Sequence, residues 1–498
     1  MSETLGDTAV PTCLWTSRAM VEALQGRPVG SLPAGVNGIS IDTRTLRPGD
    51  AFFAIAGDRF DGHDFASAAV AAEAGLLVVS EAKLPALGGL TVPMIVVDDV
   101  LAALERLGRA ARERSDATIL AVTGSVGKTT TKAMLARALA PSGETHAAVA
   151  SFNNHWGVPL TLARMPESAR FGIFEIGMNH AGEIRALVDM VRPHIAMVTT
   201  IAPAHLGHFE SLEAIAAAKA EIFEGLVPGG TAMLNRDNAQ FEVLRAAAEA
   251  CGVERILTFG EDEAADFRLL QVRLEGDGSH MRAAIGGDVV EAHIGAPGRH
   301  VVQNALAVLG AASIAGADIE SAASALADVK AEKGRGARHR LAHSDGVFVL
   351  IDESYNANPT SVGAAVALLA ATPVGPGGRR IAVLGDMLEL GVHTGQLHRE
   401  LAGPIIEAGI DRVYLAGSAM TALQEALDER IAVRHLDDAA AIAEALKREI
   451  AAGDVVMVKA SLGLGFGPIV TALTDTFPAE GRAPGDATAE EPAATKGS

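Results

Sequence analysis

The sequence predicts an α/β protein of three successive blocks, each built mainly on a parallel sheet. Three observations lead there. At 498 residues the chain exceeds what one hydrophobic core serves, and about three domains are expected. Short aliphatic runs alternate with alanine-rich helical stretches as far as residue 478. A strand, a glycine loop and a helix follow one another directly in TILAV-TGSVGK-TTTKAMLARALA, residues 118–140.

The first block, residues 1–114, carries strand-like runs at 38–41, 51–55, 76–79 and 94–97. Helical stretches fall at 65–74 and at 101–114, the second amphipathic and ending in charge. The second block, 115–333, opens with the strand at 118–122. After its loop, Met134, Leu135, Ala138 and Leu139 form an apolar stripe at helical spacing. Further strands are expected at 171–176, 196–200, 231–234 and 255–259, then a β-rich patch at 267–294 and a closing helix around 301–315. The third block, 334–478, alternates helices with strands at 347–351, 380–384, 412–416 and 455–458, the pattern of a doubly wound, Rossmann-like sheet. Residues 479–498 are Ala, Pro, Gly, Glu and Thr without apolar periodicity, and read as a disordered tail. No internal repeat is evident.

Composition narrows the function. The formal charge of −20 argues against non-specific nucleic-acid binding, which needs basic patches. It leaves room for an anionic substrate, which needs only local N–H groups and cations. Two cysteines, Cys13 and Cys251, point to a reducing compartment without a disulfide framework. The N-terminus lacks a basic, apolar leader. The most apolar stretch, 301–317, contains Gln303, Asn304 and two glycines, as a core helix would and a membrane span would not. A cytoplasmic protein without membrane insertion is expected.

The loop TGSVGKTT, residues 123–130, is a phosphate cradle of unusual spacing. The common pattern G-x-x-x-x-G-K-[ST] would put its first glycine where Val122 stands. Gly124 and Gly127 flank Ser125 and Val126, and let the backbone N–H groups and the following helix terminus face an anion. Lys128 reaches outer phosphates, and the Thr129 hydroxyl can ligate Mg²⁺. Glu175, inside the apolar run FGIFEIGMN, is either a salt-bridged core residue or a metal ligand. His205 and His208 follow the strand at 196–200, at the end where α/β ligand sites form. Lys219 shares one helical face with Ile215, Ile222 and Leu226. It is either a lysine snorkelling to solvent or a buried, neutral amine able to take up CO₂.

Together these residues resemble the Mur ligases, ATP-dependent amide-forming enzymes of peptidoglycan synthesis, whose phosphate loop has the form T-G-[ST]-x-G-K-T-[ST]. The likeness spans residues 37–470. Three stretches carry it furthest: ISIDTRTLRPGDAFFAIAGDRFDGHDF (39–65), SFNNHWGVPLTL (151–162), and DESYNANPTS (352–361) with LGDMLELG (384–391). They are similar to the branch of the family that joins D-Ala-D-Ala to UDP-MurNAc-tripeptide. The resemblance implies an N-terminal UDP-binding domain, a central ATPase-like domain and a C-terminal Rossmann-like domain, acting as a monomer with ATP and Mg²⁺.

It also implies roles. Gly124, Ser125, Val126, Gly127, Lys128, Thr129 and Thr130 hold ATP phosphates. Thr129, Glu175, His205 and a carbamylated Lys219 hold metal. Asn304 recognises adenine, and Arg340, Glu353 and Asn356 contact ATP from the C-terminal domain. Asp42, Thr43, Arg44, Asp61, Gly62 and His63 face the UDP-MurNAc part; Asn153, Asn154 and Asn358 face the peptide end. Arg335 competes with Arg340. Lys459 opens KASLGLG, where the family more often has a K-G-S-R-like run, and is set aside as a ligand. The third residue of the tripeptide, meso-diaminopimelate or lysine, stays open. So do two other readings that share the phosphate loop, a folylpolyglutamate synthase-like ligase and a P-loop ATPase or kinase.

Overall fold

In the computed structural model, residues 13–57, 59–204 and 206–481 are described. The first block holds a five-stranded sheet in the order Arg27–Val29, Met94–Val97, Leu76–Ser80, Ala51–Phe53 and Ile39–Ser40, parallel except for the first strand. The helix expected at 65–74 is shorter. It begins as a 3₁₀ turn, Gly62–Phe65, because the Asp61 carboxylate caps the His63 N–H, and only Ala66–Ala71 is α-helical. The helix Val100–Glu113 buries Leu104, Leu107 and Ala111 against Leu160 and Ala163 of the second block. Two side chains fasten this seam: Trp15 Nε1 donates to the Ala163 carbonyl at 2.8 Å, and Arg112 donates to the carbonyls of Val191 and Arg192, both at 2.9 Å.

The central sheet has nine strands among the described residues. Six run parallel, in the order Thr145–Ala147, Phe171–Glu175, Thr118–Thr123, Ile195–Val198, Thr231–Asn235 and Arg255–Gly260. The β-rich patch extends this sheet: Phe267–Leu274 joins in parallel, and Ser279–Ile285 and Asp288–Ile294 add antiparallel. Gly286 and Gly287 make the two-residue turn between the last two, both at positive φ, as a tight hairpin requires. The predicted stripe on the helix Lys128–Leu139 is buried in the core, with Met134, Leu135, Ala138 and Leu139 inaccessible.

This order positions the site. Strand Thr118–Thr123 lies between Phe171–Glu175 and Ile195–Val198, with Val122 beside Glu175 and Thr123 beside Val198. The phosphate loop, Glu175 and Thr199 therefore leave three adjacent strands at the same carboxyl edge, where open α/β sheets bind ligands.

The third sheet runs Ala337–His343, Gly346–Asp352, Val455–Lys459, Arg380–Gly385, Arg412–Ala416 and Ala432–Leu436, parallel except for the first hairpin. The first strand, ARHRLAH, went unrecognised in the sequence because it is polar and buries only Leu341. Residues 478–480 fold back along it. Ala342 N–H donates to the Pro478 carbonyl at 2.8 Å, Ala479 bridges Leu341, and Glu480 pairs with Arg340. The disordered-tail reading therefore starts too early, since Ala479 and Glu480 lie against this strand; residues 482–498 are outside the described residues. No helix among the described residues is long and apolar enough to cross a membrane.

Candidate functional site

The phosphate loop is preformed. Gly124 and Gly127 sit at φ +151° and +88°, conformations open to glycine. A Cβ at Gly124 would stand 1.9 Å from Thr199 Oγ1, and one at Gly127 2.9 Å from Asn304 Oδ1, so neighbouring side chains approach the bare backbone. The Thr199 hydroxyl donates to the Val126 carbonyl at 2.6 Å. Ser125 Oγ donates to the Ala202 carbonyl and accepts the Ala202 N–H, both at 3.0 Å. Lys128 Nζ folds back onto the Gly124 carbonyl at 2.7 Å. One turn further on, buried Lys132 donates to the carbonyls of Ala148 and Ala150 at 2.8 and 2.9 Å, holding the segment that leads to Asn153.

Glu175 is buried at the end of its strand. Its Oε1 accepts from Asn153 Nδ2 at 2.7 Å, whereas its Oε2 is buried without a hydrogen-bond partner. An orphaned carboxylate oxygen is costly in a protein interior unless something cationic completes it. Thr129 Oγ1 lies on the neighbouring helix start, 3.3 Å from Ser151 Oγ. A carboxylate oxygen and hydroxyls suit a hard divalent cation, so these residues fit Mg²⁺. Asn153, expected to face the peptide end, spends its amide on Glu175. Asn154 caps the helix Gly157–Ala163 through the Gly157 N–H at 2.9 Å and does not line the cleft.

Lys219, on the helix Leu212–Ala220, is 1% exposed, which removes the snorkelling reading. Burial pushes its ammonium pKa well below the ordinary lysine range, and repulsion from Lys128 pushes the same way. Lys128 is lowered too, by burial first; Glu175 opposes that and Arg335 reinforces it. His205 lies outside the described residues. His208 sits at the surface, its ring 4.8 Å from that of His180.

A cleft of about 500 Å³ opens over this edge. Its far wall is the third block, including Arg335, Glu353, Asn356, Asn358 and Lys459; Asn304 lines it from the central block. Buried Lys459 Nζ donates to Glu353 Oε2 at 3.1 Å and to the Asn356 carbonyl at 3.0 Å. Asn356 Oδ1 accepts the Ala357 N–H at 2.9 Å, and Asn358 caps the helix Pro359–Ala371. Arg335 stacks over Tyr355 at 3.9 Å and faces the cleft. Arg340 does not line the cleft and is paired with Glu480 instead. The arginine of this wall is therefore Arg335.

The first block's candidates lie apart from this cleft. Asp42 grips its neighbour Arg44, whose hydrogen bond holds the Asp42 carboxyl below its usual range. Thr43, between them, is half-exposed. Gly62 fits against Ala54 and Ile55, where a Cβ would come within 2.7 Å of backbone. Asp61 bonds His63 Nδ1 and Lys83 Nζ, each at 2.6 Å, and His63 Nε2 accepts the Ser80 N–H at 3.0 Å.

Three family models match in chain order: the Mur ligase family catalytic domain over 35–112, the Mur ligase middle domain over 122–312, and the Mur ligase glutamate ligase domain over 337–462. The chain belongs to the Mur ligase family. This Mur ligase is 35% identical to the UDP-N-acetylmuramoyl-tripeptide–D-alanyl-D-alanine ligase of Escherichia coli (strain K12), over 88% of its own length and 94% of that protein's. It is 34% identical to the protein of that name from Bacillus subtilis (strain 168), over 89% and 94%. Its fold is similar to a crystal structure of MurF from Acinetobacter baumannii, with a TM-score of 0.79 and 28% identity over 94% and 100% of the two chains.

Sequence reasoning set Lys459 aside and missed Thr199 and Lys132. Lys459 closes and Thr199 follows strands whose carboxyl ends face the cleft. That position, rather than any motif, was the usable signal.

Proposed function

We propose that this Mur ligase joins D-alanyl-D-alanine to UDP-N-acetylmuramoyl-tripeptide, driven by ATP, giving the UDP-linked pentapeptide for peptidoglycan synthesis. The observation that carries the reading is one cleft with two unlike walls. One wall is a preformed phosphate loop beside an uncompensated carboxylate oxygen; the other is the Asp352–Ser361 signature braced by Lys459. The relatives' activity supports the choice of substrates. One chain supplies both walls, which supports action as a monomer; the location is read as cytoplasmic, and the three sheets as domains 1–114, 115–333 and 334–478.

A carboxylate does not condense with an amine in water unless its departing oxygen becomes a good leaving group. The free carboxylate of the tripeptide attacks the γ-phosphorus of ATP; the new O–P bond forms as the β–γ bridge breaks, and ADP departs. The dipeptide amine then attacks the acyl carbon, loses a proton and expels phosphate. The protein's share is positioning and charge compensation. The N–H groups of residues 124–130 and the start of the helix Lys128–Leu139 cradle the phosphates, and Lys128 swings from the Gly124 carbonyl to the outer phosphoryl oxygens. Arg335, Glu353 and Asn356 close over the nucleotide, with Asn304 at the base. The UDP end lies on the first block, where Thr43 and the Arg44 guanidinium remain accessible.

Glu175 and Thr129 would hold Mg²⁺, with His205 and Lys219 in the same set; the ion supplies positive charge to the phosphoryl oxygens. A neutral Lys219 amine adds to CO₂, forming an N–C bond and releasing a proton, which converts an uncharged group into an anion that Lys128 attracts instead of repelling. Carbon-13 bicarbonate should then give a carbamate resonance that Lys219→Ala lacks; no such signal in the unsubstituted protein would end this assignment.

The test of the whole reading is product mass. Purified chain with UDP-MurNAc-tripeptide, D-Ala-D-Ala and ATP·Mg²⁺ should yield the two substrates joined with loss of water, plus equal ADP and phosphate. Phosphate release without muropeptide and dipeptide, and no joined product, would instead make it an ATPase.

A further inference from the structure

The C-terminal wall of the cleft carries two leucines that the mechanism above does not use. Leu388 and Leu462 are 45% and 52% exposed, and both line the cleft. Leu388 reaches Gly463, the residue that follows Leu462: a Cβ there would stand 3.1 Å from Leu388 Cδ1. Other strongly exposed large apolar side chains among the described residues, such as Phe60 and Val392, lie outside the cleft. A pair of open leucines facing a polar phosphate loop is therefore a local feature and not a general property of the surface.

Both loops are held. Leu388 N–H donates to Ser461 Oγ at 2.9 Å. Met387 N–H donates to Nε2 of fully buried His398 at 2.9 Å, and the opposite ring nitrogen of His398 bonds the Thr394 carbonyl at 2.7 Å. Leu462 N–H reaches Asn356 Oδ1 at 3.4 Å. Next to Leu388, the Glu389 carbonyl accepts the Gly207 N–H at 2.7 Å, which ties the loop to the central block. The patch is thus ordered before anything binds, and ordering it costs a ligand nothing.

We infer that Leu388 and Leu462, on either side of Gly463 in the cleft wall, form the apolar subsite that receives the methyl side chains of the incoming dipeptide and limits the size of the acceptor; this rests on the ligase reading. The chemistry of the three substrates selects the occupant. ATP and the UDP-linked peptide are multiply anionic and need N–H groups and cations, which the opposite wall provides. Leu462 stands where a K-G-S-R run would place an arginine, so this spot offers no cation to a phosphate or carboxylate. The dipeptide is the substrate whose side chains are two methyl groups, and its amine must reach a carboxyl activated at the phosphate loop.

Leu388→Ala, Leu462→Ala and the double variant test the subsite by phosphate release from the full chain with all three substrates. The double variant should raise KM for D-Ala-D-Ala about tenfold, the loss expected when one or two methyl-sized contacts go. KM for ATP and for the muropeptide should stay within about twofold, and the melting temperature should not fall, because both side chains are largely open. Turnover of dipeptides with a bulkier second side chain should rise relative to D-Ala-D-Ala. Gly463→Ala, which crowds Leu388, should shift selectivity the other way. Unchanged dipeptide KM and selectivity, or a KM rise confined to ATP or the muropeptide, overturns the subsite. Failure of the ligase reading looks different: the unsubstituted chain would then show no dipeptide-dependent phosphate release.

Discussion

Two polar clusters, one in the first sheet and one at the carboxyl edge of the central sheet, meet their electrostatic needs in opposite ways. Around Asp61 every group is answered from within: Lys83 and His63 bond the carboxylate, and Ser80 N–H takes the remaining imidazole nitrogen. Around Glu175 one oxygen is left without a partner, while Lys128 and Lys219 repel each other nearby. The first cluster stabilises the ligand-free fold. The second is unfavourable until a ligand arrives, the condition of a binding site that holds its charges ready.

The largest effect should come from removing the uncompensated oxygen. Glu175→Gln should lower kcat by about 10³-fold, the scale seen when one preorganised electrostatic partner is lost, while leaving the melting temperature of the ligand-free protein unchanged or higher. A lower melting temperature would place Glu175 with the satisfied cluster.

Lys459→Met breaks a pair whose members are 4% and 13% exposed. It should cost about 3 kcal/mol in urea unfolding, because Glu353 is left buried and alone. Adding Glu353→Gln should restore most of that stability without restoring activity, separating the brace from the chemistry it supports.

Lys219→Met should do the reverse of Lys459→Met and stabilise the ligand-free chain by about 1–2 kcal/mol at neutral pH, since a buried lysine disfavours its own charge. The sign follows from the lowered pKa. Between the folded value and the ordinary value of about 10.4, the unfolded chain binds more protons, so native stability rises with pH. The advantage of Met should therefore shrink as pH climbs towards 10, which paired melting curves across pH would read.

Asp61→Asn should have the smallest effect, costing about 1 kcal/mol for weakened charge-assisted bonds and leaving kcat intact. Its pKa is depressed, chiefly by the Lys83 hydrogen bond. The stability it contributes is present above the ordinary carboxylate range and is lost as pH falls through the folded value, so the variant and the parent should converge in acid.

The comparison also explains what was legible in the sequence. The central strands of all three sheets announced themselves as aliphatic runs, and the phosphate loop as a local pattern; the short or polar strands Arg27–Val29, Thr145–Ala147 and Ala432–Leu436, at or next to the sheet edges, did not. Nor did strand Ala337–His343, because its alternation is polar and one residue of seven is buried. Lys219 could be placed on an apolar face by spacing, but its depth depends on neighbours in three dimensions. Whether DGH at residues 61–63 bonds a ligand or itself depends on Ser80 and Lys83, roughly twenty residues away and brought close only by the fold. Arg335 and Arg340 differ by five positions, but Arg335 lies before the edge strand and lines the cleft, whereas Arg340 lies within it and meets Glu480.

The contact between Gly207 and Glu389 is made entirely by main-chain atoms. No single side-chain replacement can delete either partner short of proline at 207, which would remove the N–H. Any side chain at Gly207 would still press on the seam, since a Cβ there would stand 3.2 Å from the Glu389 carbonyl oxygen. A compound that captured this seam would therefore press on a glycine that has little room to change.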